Sequence, residues 1–138
     1  MPTLTDQQIE QMLNSAKFAA ENAYRPYSRF PVGAAVLSSS GRIFAGCNVE
    51  NASFGLTICA ERAALFNMIS AGEREVGFLL IYTPTPSPVS PCGACRQVLR
   101  EFARSECVVL CRCDGHSEMR STLGELLPAS FGPDSLEK

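Results

Sequence analysis

The sequence lacks the features that mark several large classes of protein. It has 12 Lys and Arg against 14 Asp and Glu, for a net charge of −2, and its basic residues form no block. A nucleic-acid groove normally needs a concentration of basic side chains, so we expect no such partner. The longest apolar run, near residues 78–82, is far short of the ~20 residues that a membrane-spanning helix needs.

The first residues, beginning Met1-Pro2-Thr3, show no basic segment followed by an apolar one, so we expect a cytoplasmic protein. Its 138 residues predict a single domain, 1–138, with 46% apolar content, which is typical of a globular chain. Seven cysteines in a reducing compartment argue against a disulfide framework. We therefore expect some of these thiols to bind metal and the rest to pack in the core.

The pattern of apolar residues predicts alternating helices and strands. Thr5 and Gln8 form a capping box that begins a first helix, which Pro26 ends. Thr57 is a candidate cap for a second helix at about 59–70. The other expected elements are strands at 32–37, 43–49, 78–83 and 107–111, a short strand near Met119, and helices at 93–104 and 123–127. This order favours a mixed, partly parallel sheet covered by helices, an α/β fold.

The most informative residues are Cys59, Cys92 and Cys95, which would offer three thiolates to one metal ion, with Glu61 beside them. Three protein ligands leave the fourth position of a tetrahedral zinc site open for water. Zinc lowers the pKa of a bound water from ~15.7 to about 7, and a nearby carboxylate can then move the proton. A ligand followed by x-Glu and later by Pro-Cys-x-x-Cys is the general signature of zinc-dependent base deaminases. Here the first ligand would be Cys rather than His.

Two arginines follow this set directly, Arg62 after the acid and Arg96 after the last cysteine. Three thiolates and Zn²⁺ sum to a charge of −1, which would weaken the Lewis acidity of the metal. Helix N-termini lower thiol pKa values and help to keep the sulfurs ionised. We expect Arg62 or Arg96 to donate to a thiolate and offset the remaining charge.

Simpler interpretations of the cysteines stay open at this point. Cys92 and Cys95 would also fit a redox pair, although that leaves Cys59 and Glu61 without a role. A closed structural zinc site, as in a non-catalytic binding module, would need a fourth ligand such as Cys47 or His116. His116 also fits a solvated turn. The alternating thiols Cys107, Cys111 and Cys113 are expected in the core.

Several short motifs occur together in one order, and they cover nearly the whole chain. They are Phe30-Pro31-Val32-Gly33-Ala34-Ala35, Gly46-Cys47-Asn48-Val49-Glu50-Asn51-Ala52, Cys59-Ala60-Glu61-Arg62, Pro91-Cys92-Gly93-Ala94-Cys95-Arg96-Gln97 and Leu126-Leu127-Pro128-Ala129-Ser130-Phe131. This combination closely resembles the small, homotetrameric cytidine deaminases of pyrimidine salvage. The resemblance implies a three-layer α/β/α fold with a five-stranded mixed sheet. It also implies deamination of cytidine and 2′-deoxycytidine to uridine and 2′-deoxyuridine.

The resemblance further implies roles for individual residues. Cys59, Cys92 and Cys95 would bind one zinc ion per subunit, and Glu61 would be the proton shuttle. The residues expected at the nucleoside are Phe30 packing against it, Asn48 and Glu50 on the ribose hydroxyls, the backbone around Ala60 at the base edge, and Phe131 stacking on the pyrimidine from a neighbouring subunit.

Ala52 and Phe54 would also reach a neighbour's site in the homotetramer. Many family members carry Tyr where this chain has Phe54, so a hydrogen bond from that position is not expected. Relatives that act on another amino-pyrimidine or on the antibiotic blasticidin are the nearest alternatives. An editor of RNA or DNA bases would need a basic channel, which the sequence does not show.

Overall fold

A computed structural model describes residues 3–136. Its five strands form one mixed sheet. In chain order the strands are β1 (Gly33–Ser38), β2 (Ile43–Cys47), β3 (Val76–Tyr82), β4 (Ala103–Arg112) and β5 (Met119–Thr122). Their spatial order is β2-β1-β3-β4-β5, and β3 and β4 are the parallel pair. The other neighbours are antiparallel, so β2, β3 and β4 run in one direction.

Helices cover both faces of the sheet. The helices are α1 (Asp6–Glu21), α2 (Ala60–Ser70), α3 (Gly93–Phe102) and α4 (Leu123–Leu126), with 3₁₀ turns at Phe54–Leu56 and Pro133–Leu136. On β1, Ala35 and Leu37 pack with α1, whereas Ala34 and Val36 pack with the cluster that α2, α3 and α4 help to form. All seven residues of β3 are buried, as expected for a strand with helices on both sides. The three-layer α/β/α fold with a five-stranded mixed sheet is therefore confirmed.

The direction of the strands decides where the loops lie. Because β2 and β3 run the same way, the segments that lead from them into α2 and α3 leave from the same edge of the sheet. The antiparallel β1 begins at that edge, at Gly33. Consequently the residues before β1, after β2 and after β3 share one edge, and most of the expected site residues lie in these segments.

Several expected boundaries were wrong. The capping box of Thr5 and Gln8 is present, but α1 ends at Glu21, five residues before Pro26. Thr57 is not the cap of α2, because Cys59 holds the N-cap position. The second strand stops at Cys47, and beyond it Val49 makes only isolated bridges to Tyr24 and Ile58. The expected strand at 107–111 is longer: β4 begins at Ala103, directly after α3, so this helix ends at Phe102 rather than 104.

The longest helix within residues 3–136 is α1 with 16 residues, and the helices in this part of the chain are too short or too polar to cross a membrane.

The contact between β2 and α2 depends on Gly46. A Cβ atom at this position would lie 2.4 Å from the backbone nitrogen of Ala64 and 2.8 Å from the Cβ of Ala63. These atoms belong to the helix backbone and its first side-chain atom, so they cannot move aside by rotation. Gly46 allows α2 to lie close to the sheet, and any larger residue at this position would displace the start of α2.

We predict that Gly46→Ala lowers the free energy of unfolding by about 1–3 kcal/mol, the usual cost of overpacking. The urea midpoint at fixed protein concentration measures this change. Gly55→Ala is the matched control, because a Cβ there meets nothing within 4 Å. Equal midpoints for the two variants would contradict the close approach of α2.

Candidate metal centre and active site

The N-termini of α2 and α3 meet at the sheet edge described above. Cys59 is the N-cap of α2, Cys92 is the N-cap of α3, and Cys95 lies in the first turn of α3. The Sγ atom of Cys92 lies 3.8 Å from that of Cys59 and 3.4 Å from that of Cys95. All three sulfurs lie within 4.8 Å of one another. The two helix N-termini therefore bring three sulfurs to one point. The helix dipoles add partial positive charge at the same place.

The sulfur spacing fits a zinc ion. A tetrahedral site with Zn–S bonds of ~2.3 Å places two sulfurs about 3.8 Å apart. Within residues 3–136 the group that can hold a metal contains these three cysteines and neither Cys47 nor His116. This geometry favours an open site with three protein ligands over a closed structural one. It also brings Cys59 to the Cys92–Cys95 pair, which an isolated redox motif would not require.

Cys59 and Cys95 differ in their acidity. The hydrogen bond with Cys95, together with those from Arg62 and Cys92, lowers the pKa of Cys59 to about 5. The contact with Cys59 and burial raise the pKa of Cys95. One sulfur of the group is thus ionised at neutral pH, while a buried neighbour keeps its proton. Metal ligation requires the thiolate form, so metal binding would release the proton of Cys95.

Arg62 is the arginine that contacts the cysteines. Its Nη2 lies 3.4 Å from the Sγ of Cys59, and this hydrogen bond is the main reason that the pKa of Arg62 is raised. Its Nε is buried and, among the described residues, has no hydrogen-bond partner. A guanidinium in this position places positive charge beside the sulfurs, as the sequence predicted for one of the two arginines.

Of the two candidate arginines, Arg96 does not donate to a thiolate, and its expected part in the charge balance is wrong. Within residues 3–136 its side chain makes three hydrogen bonds, to the carbonyl of Pro91 at 2.8 Å, the carbonyl of Leu126 at 2.9 Å and Oγ of Ser90 at 3.2 Å. Helical side chains point toward the helix N-terminus, so Arg96 reaches back past the cysteines to the loop before α3. Arg96 therefore holds the loop that leads to Cys92 and does not neutralise the charge of the sulfurs.

Glu61 lies in the first turn of α2, two residues after Cys59, and is only 9% exposed. Burial raises the pKa of this carboxyl, and the charge of Cys59 raises it further. A carboxyl whose pKa moves toward neutrality can both accept and donate a proton. Glu61 is therefore suited to proton transfer beside the cysteine cluster.

Asn48 follows β2 and is buried. Its Oδ1 accepts from the backbone nitrogen of Val32 at 2.9 Å, and its Nδ2 donates to the carbonyl of Phe30 at 2.8 Å. The amide therefore fixes the segment that leads into β1. This places Phe30, which is 38% exposed, next to the strand end that carries Asn48.

Glu50 is held by a loop that the sequence did not single out. Its Oε1 accepts from the backbone nitrogens of Tyr27 at 2.9 Å and Ser28 at 3.1 Å, and Oε2 accepts from the Ser28 hydroxyl. These contacts, led by the Ser28 hydroxyl, lower the pKa of Glu50 and keep it charged. The only signal that would have indicated Tyr27 and Ser28 is their proximity to Phe30 in the chain.

Tyr27, Ser28, Glu50, Phe54 and Thr57 line an open cleft of about 400 Å³. The rings of Tyr27 and Phe54 meet edge to face, with centroids 5.7 Å apart. Phe54 is nevertheless 73% exposed. The cleft therefore combines a fixed negative charge with an aromatic surface.

The remaining expected residues lie on different surfaces. Ala60 is fully buried at the start of α2, whereas Ala52 is exposed in the loop after β2. Phe131 lies in the segment after α4, is 60% exposed, and accepts a hydrogen bond at its carbonyl from Gln97. Cys107, Cys111 and Cys113 are buried, as expected for core thiols.

Known proteins share this arrangement of sequence and fold. Residues 6–111 match the family described as the cytidine and deoxycytidylate deaminase zinc-binding region. A protein of Sporosarcina psychrophila named cytidine deaminase is 45% identical over 129 residues, which cover 93% of this chain and 94% of that protein.

Solved structures agree with the sequence match. The crystal structure of cytidine deaminase from Burkholderia pseudomallei superimposes with a TM-score of 0.84 at 43% identity, covering 88% of this chain and 98% of that one. For the cytidine deaminase of Mycobacterium tuberculosis the TM-score is 0.78 at 44% identity, covering 93% and 98% of the two chains. The match spans both helix starts that carry the cysteines, and this chain therefore belongs to the zinc-dependent cytidine and deoxycytidylate deaminase family.

Proposed function

We propose that this protein deaminates cytidine and 2′-deoxycytidine hydrolytically to uridine and 2′-deoxyuridine, with release of ammonia. The observation that carries this proposal is the three-cysteine cluster with the buried carboxyl of Glu61 beside it. Relatives named cytidine deaminase, matched over most of both chains, support the substrate. We further propose that the chain acts as a single domain, 1–138, in the cytoplasm. All seven cysteines are free, which agrees with a reducing compartment.

Cys59, Cys92 and Cys95 would hold one zinc ion per subunit. When bound, zinc supplies the Lewis acidity that lets a water lose its proton near neutral pH. Arg62 offsets the negative charge of the three thiolates through its contact with Cys59. An Arg62→Gln protein with unchanged zinc content and turnover would contradict this role.

Glu61 moves the protons of the reaction. As a carboxylate it accepts a proton from the attacking water and delivers it to N3 of the cytosine ring, which makes C4 more electrophilic. After the hydroxyl has added to C4, the same carboxylate takes the proton of that hydroxyl and gives it to the amino group, which leaves as ammonia while the C4 carbonyl forms. Its burial suits both steps, because the raised pKa of this carboxyl brings its acid and base forms closer in energy.

The sugar would lie against Asn48 and Glu50, with Phe30 packing on the nucleoside and the backbone around Ala60 at the base edge. Glu50 is kept ionised by the loop at Tyr27 and Ser28. A carboxylate accepts hydrogen bonds from the ribose hydroxyls but repels a phosphate group. The site therefore suits a free nucleoside better than a nucleotide.

We also propose that the protein is a homotetramer whose active sites are shared between subunits. Phe131 and Phe54, the two aromatics expected at a neighbour's site, are 60% and 73% exposed, and Phe18 on α1 is 69% exposed. Aromatic side chains of this size are commonly buried at interfaces. Ala52 lies in the same exposed loop as Phe54 and would reach the neighbour with it.

The experiment that tests the function combines metal analysis with an absorbance assay. The purified protein should contain one zinc per chain and convert cytidine and deoxycytidine to products with equimolar ammonia. The corresponding monophosphates should be poor substrates. Zinc-loaded protein that forms no product from either nucleoside would overturn the proposal.

We predict that Glu61→Gln lowers kcat by roughly 10²–10⁴-fold, the usual contribution of general acid–base catalysis. Zinc content and binding of the product uridine should be retained, since the amide keeps the shape of the side chain. Glu101→Gln, on the exposed face of α3, is the matched control and should keep wild-type turnover. Wild-type kcat in Glu61→Gln would show that another group moves the protons.

We predict that Glu50→Gln raises KM for cytidine about 10-fold or more, because hydrogen bonds to a charged group are lost. The ratio of kcat/KM for cytidine to kcat/KM for its monophosphate should fall, because the negative charge that repels phosphate is gone. Glu73→Gln is the control: its carboxylate also accepts from a serine hydroxyl, that of Ser40, at a site remote from the cleft. An unchanged ratio in Glu50→Gln would place phosphate exclusion elsewhere.

A further inference from the structure

The segment after α4 carries Phe131 and has no regular structure until the 3₁₀ turn at Pro133–Leu136. We call residues 127–134 the C-terminal segment. Its path is nevertheless specific. Ala129 has a φ of 50°, a left-handed conformation that residues with a Cβ rarely adopt unless the surroundings impose it. The segment is therefore fixed by contacts rather than by its own secondary structure.

Side chains on one face of α3 supply those contacts. Residues 97 and 100 are three apart and so lie on the same face of the helix, and Arg96 is adjacent to them. The hydrogen bonds are Arg96 Nη1 to the Leu126 carbonyl at 2.9 Å, Gln97 Nε2 to the Phe131 carbonyl at 2.9 Å, Arg100 Nε to Ser130 Oγ at 3.0 Å and Arg100 Nη2 to Asp134 Oδ1 at 2.9 Å. Together they hold the chain before, at and after Phe131, two through backbone carbonyls and two through the side chains of Ser130 and Asp134.

Gly132 shows how closely the segment lies on the helix. A Cβ at this position would be 2.6 Å from Cζ of Arg100 and within 2.9 Å of both its terminal nitrogens. The guanidinium therefore packs directly against the backbone of Gly132. Ser135 closes the other side, since its Oγ accepts from the Gly132 nitrogen at 3.1 Å.

Phe131 is 60% exposed, while its carbonyl and its neighbours in the chain are held by polar contacts. Ordering a segment costs conformational entropy, and here the large apolar side chain does not repay that cost by being buried in its own chain. The contacts thus fix the position of a ring that remains available for another surface.

We infer that Gln97 and Arg100 are positioning residues that hold the C-terminal segment so that the ring of Phe131 is presented to the nucleoside in a neighbouring subunit's site. This inference rests on the proposed function, in which Phe131 stacks on the pyrimidine. Arg100 and Gln97 act through Phe131 and do not touch the substrate. The same helix carries Cys92 at its N-cap and Cys95 in its first turn, so α3 places a part of its own subunit's metal site and also the aromatic that reaches a neighbour's site.

Steady-state kinetics on cytidine test the inference. Stacking of a base on an aromatic ring is worth a factor of about 5 to 150 in affinity, so Phe131→Ala should raise KM by at least about 5-fold. Arg100→Ala should raise KM by about 3- to 10-fold with kcat within 2-fold of wild type, because uniform binding is lost. Arg100→Lys, which can keep the ion pair with Asp134, should recover part of the loss.

Arg104→Ala is the matched control. It removes the same charge four residues further along the chain, where the arginine is paired with Glu75 at 3.7 Å and its side chain is 65% exposed. Its KM should stay at the wild-type value. Light scattering on every variant checks that the oligomeric state is unchanged, since a loss of subunits would also raise KM.

The double variant Arg100→Ala/Phe131→Ala separates the inference from the proposed function. If Arg100 acts through Phe131, the double variant has the KM of Phe131→Ala alone. If Phe131→Ala leaves KM unchanged, the proposed role of Phe131 fails. If Phe131→Ala raises KM but Arg100→Ala does not, or if the two effects add fully, the positioning role fails.

A fluorescence measurement reports the segment directly. The chain contains no tryptophan, so Phe131→Trp introduces a single tryptophan, which can be excited selectively over the three tyrosines. Adding Arg100→Ala or Gln97→Met should lower the steady-state anisotropy of this tryptophan, because its backbone is released. Gln97 is exposed, and Asp134→Asn offers a second exposed change if Arg100→Ala does not fold. Unchanged anisotropy in the folded variants would overturn the inference.

Discussion

The site depends on one constraint, the meeting of two helix N-termini at one edge of the sheet. Strands β2 and β3 both run antiparallel to β1, and each is followed by a helix. Their carboxyl ends therefore lie at the same edge, and α2 and α3 start from it. Cys59 and Cys92 are the N-cap residues of these helices. Without this topology, two cysteines 33 positions apart in the chain would not lie within reach of one metal ion.

Charged groups of both signs surround the meeting point of α2 and α3. The sulfurs lie at the positive ends of two helix dipoles, Arg62 contacts Cys59, and the buried carboxyl of Glu61 lies beside them. Burial and the neighbouring thiolate disfavour the charged form of Glu61. The carboxylate of Glu50, by contrast, lies in an open cleft and is stabilised by two backbone nitrogens and a hydroxyl. Two acidic side chains of the same type thus have opposite pKa shifts, which agrees with the different roles proposed for them.

Much of this arrangement was predictable from sequence, because spacing and residue type determine it. The capping box at Thr5, the buried β3 and the three-layer fold were confirmed. The contacts that depend on side-chain direction were not predictable. Arg96 follows a cysteine in the sequence as Arg62 follows Glu61, yet its side chain points away from the sulfurs to Pro91 and Leu126.

Other differences have local causes. Thr57 has a stronger intrinsic preference for an N-cap position than Cys59. The helix nevertheless begins directly after Cys59, so tertiary packing overrides this preference. Tyr27 and Ser28 meet Glu50 across more than twenty positions of chain, and no local pattern indicates such a pair. The contacts between α3 and the C-terminal segment are similarly long-range.

The N-cap positions of α2 and α3 have one more consequence. Neither Cys59 nor Cys92 makes a side-chain hydrogen bond that caps the helix backbone, so the usual oxygen cap is absent at both helix starts. Ligation of their sulfurs to one ion would join the two starts. The metal would then hold two otherwise uncapped helices together, and its removal would loosen both at once. Chelators would in this way act on the folding of the site as well as on its chemistry.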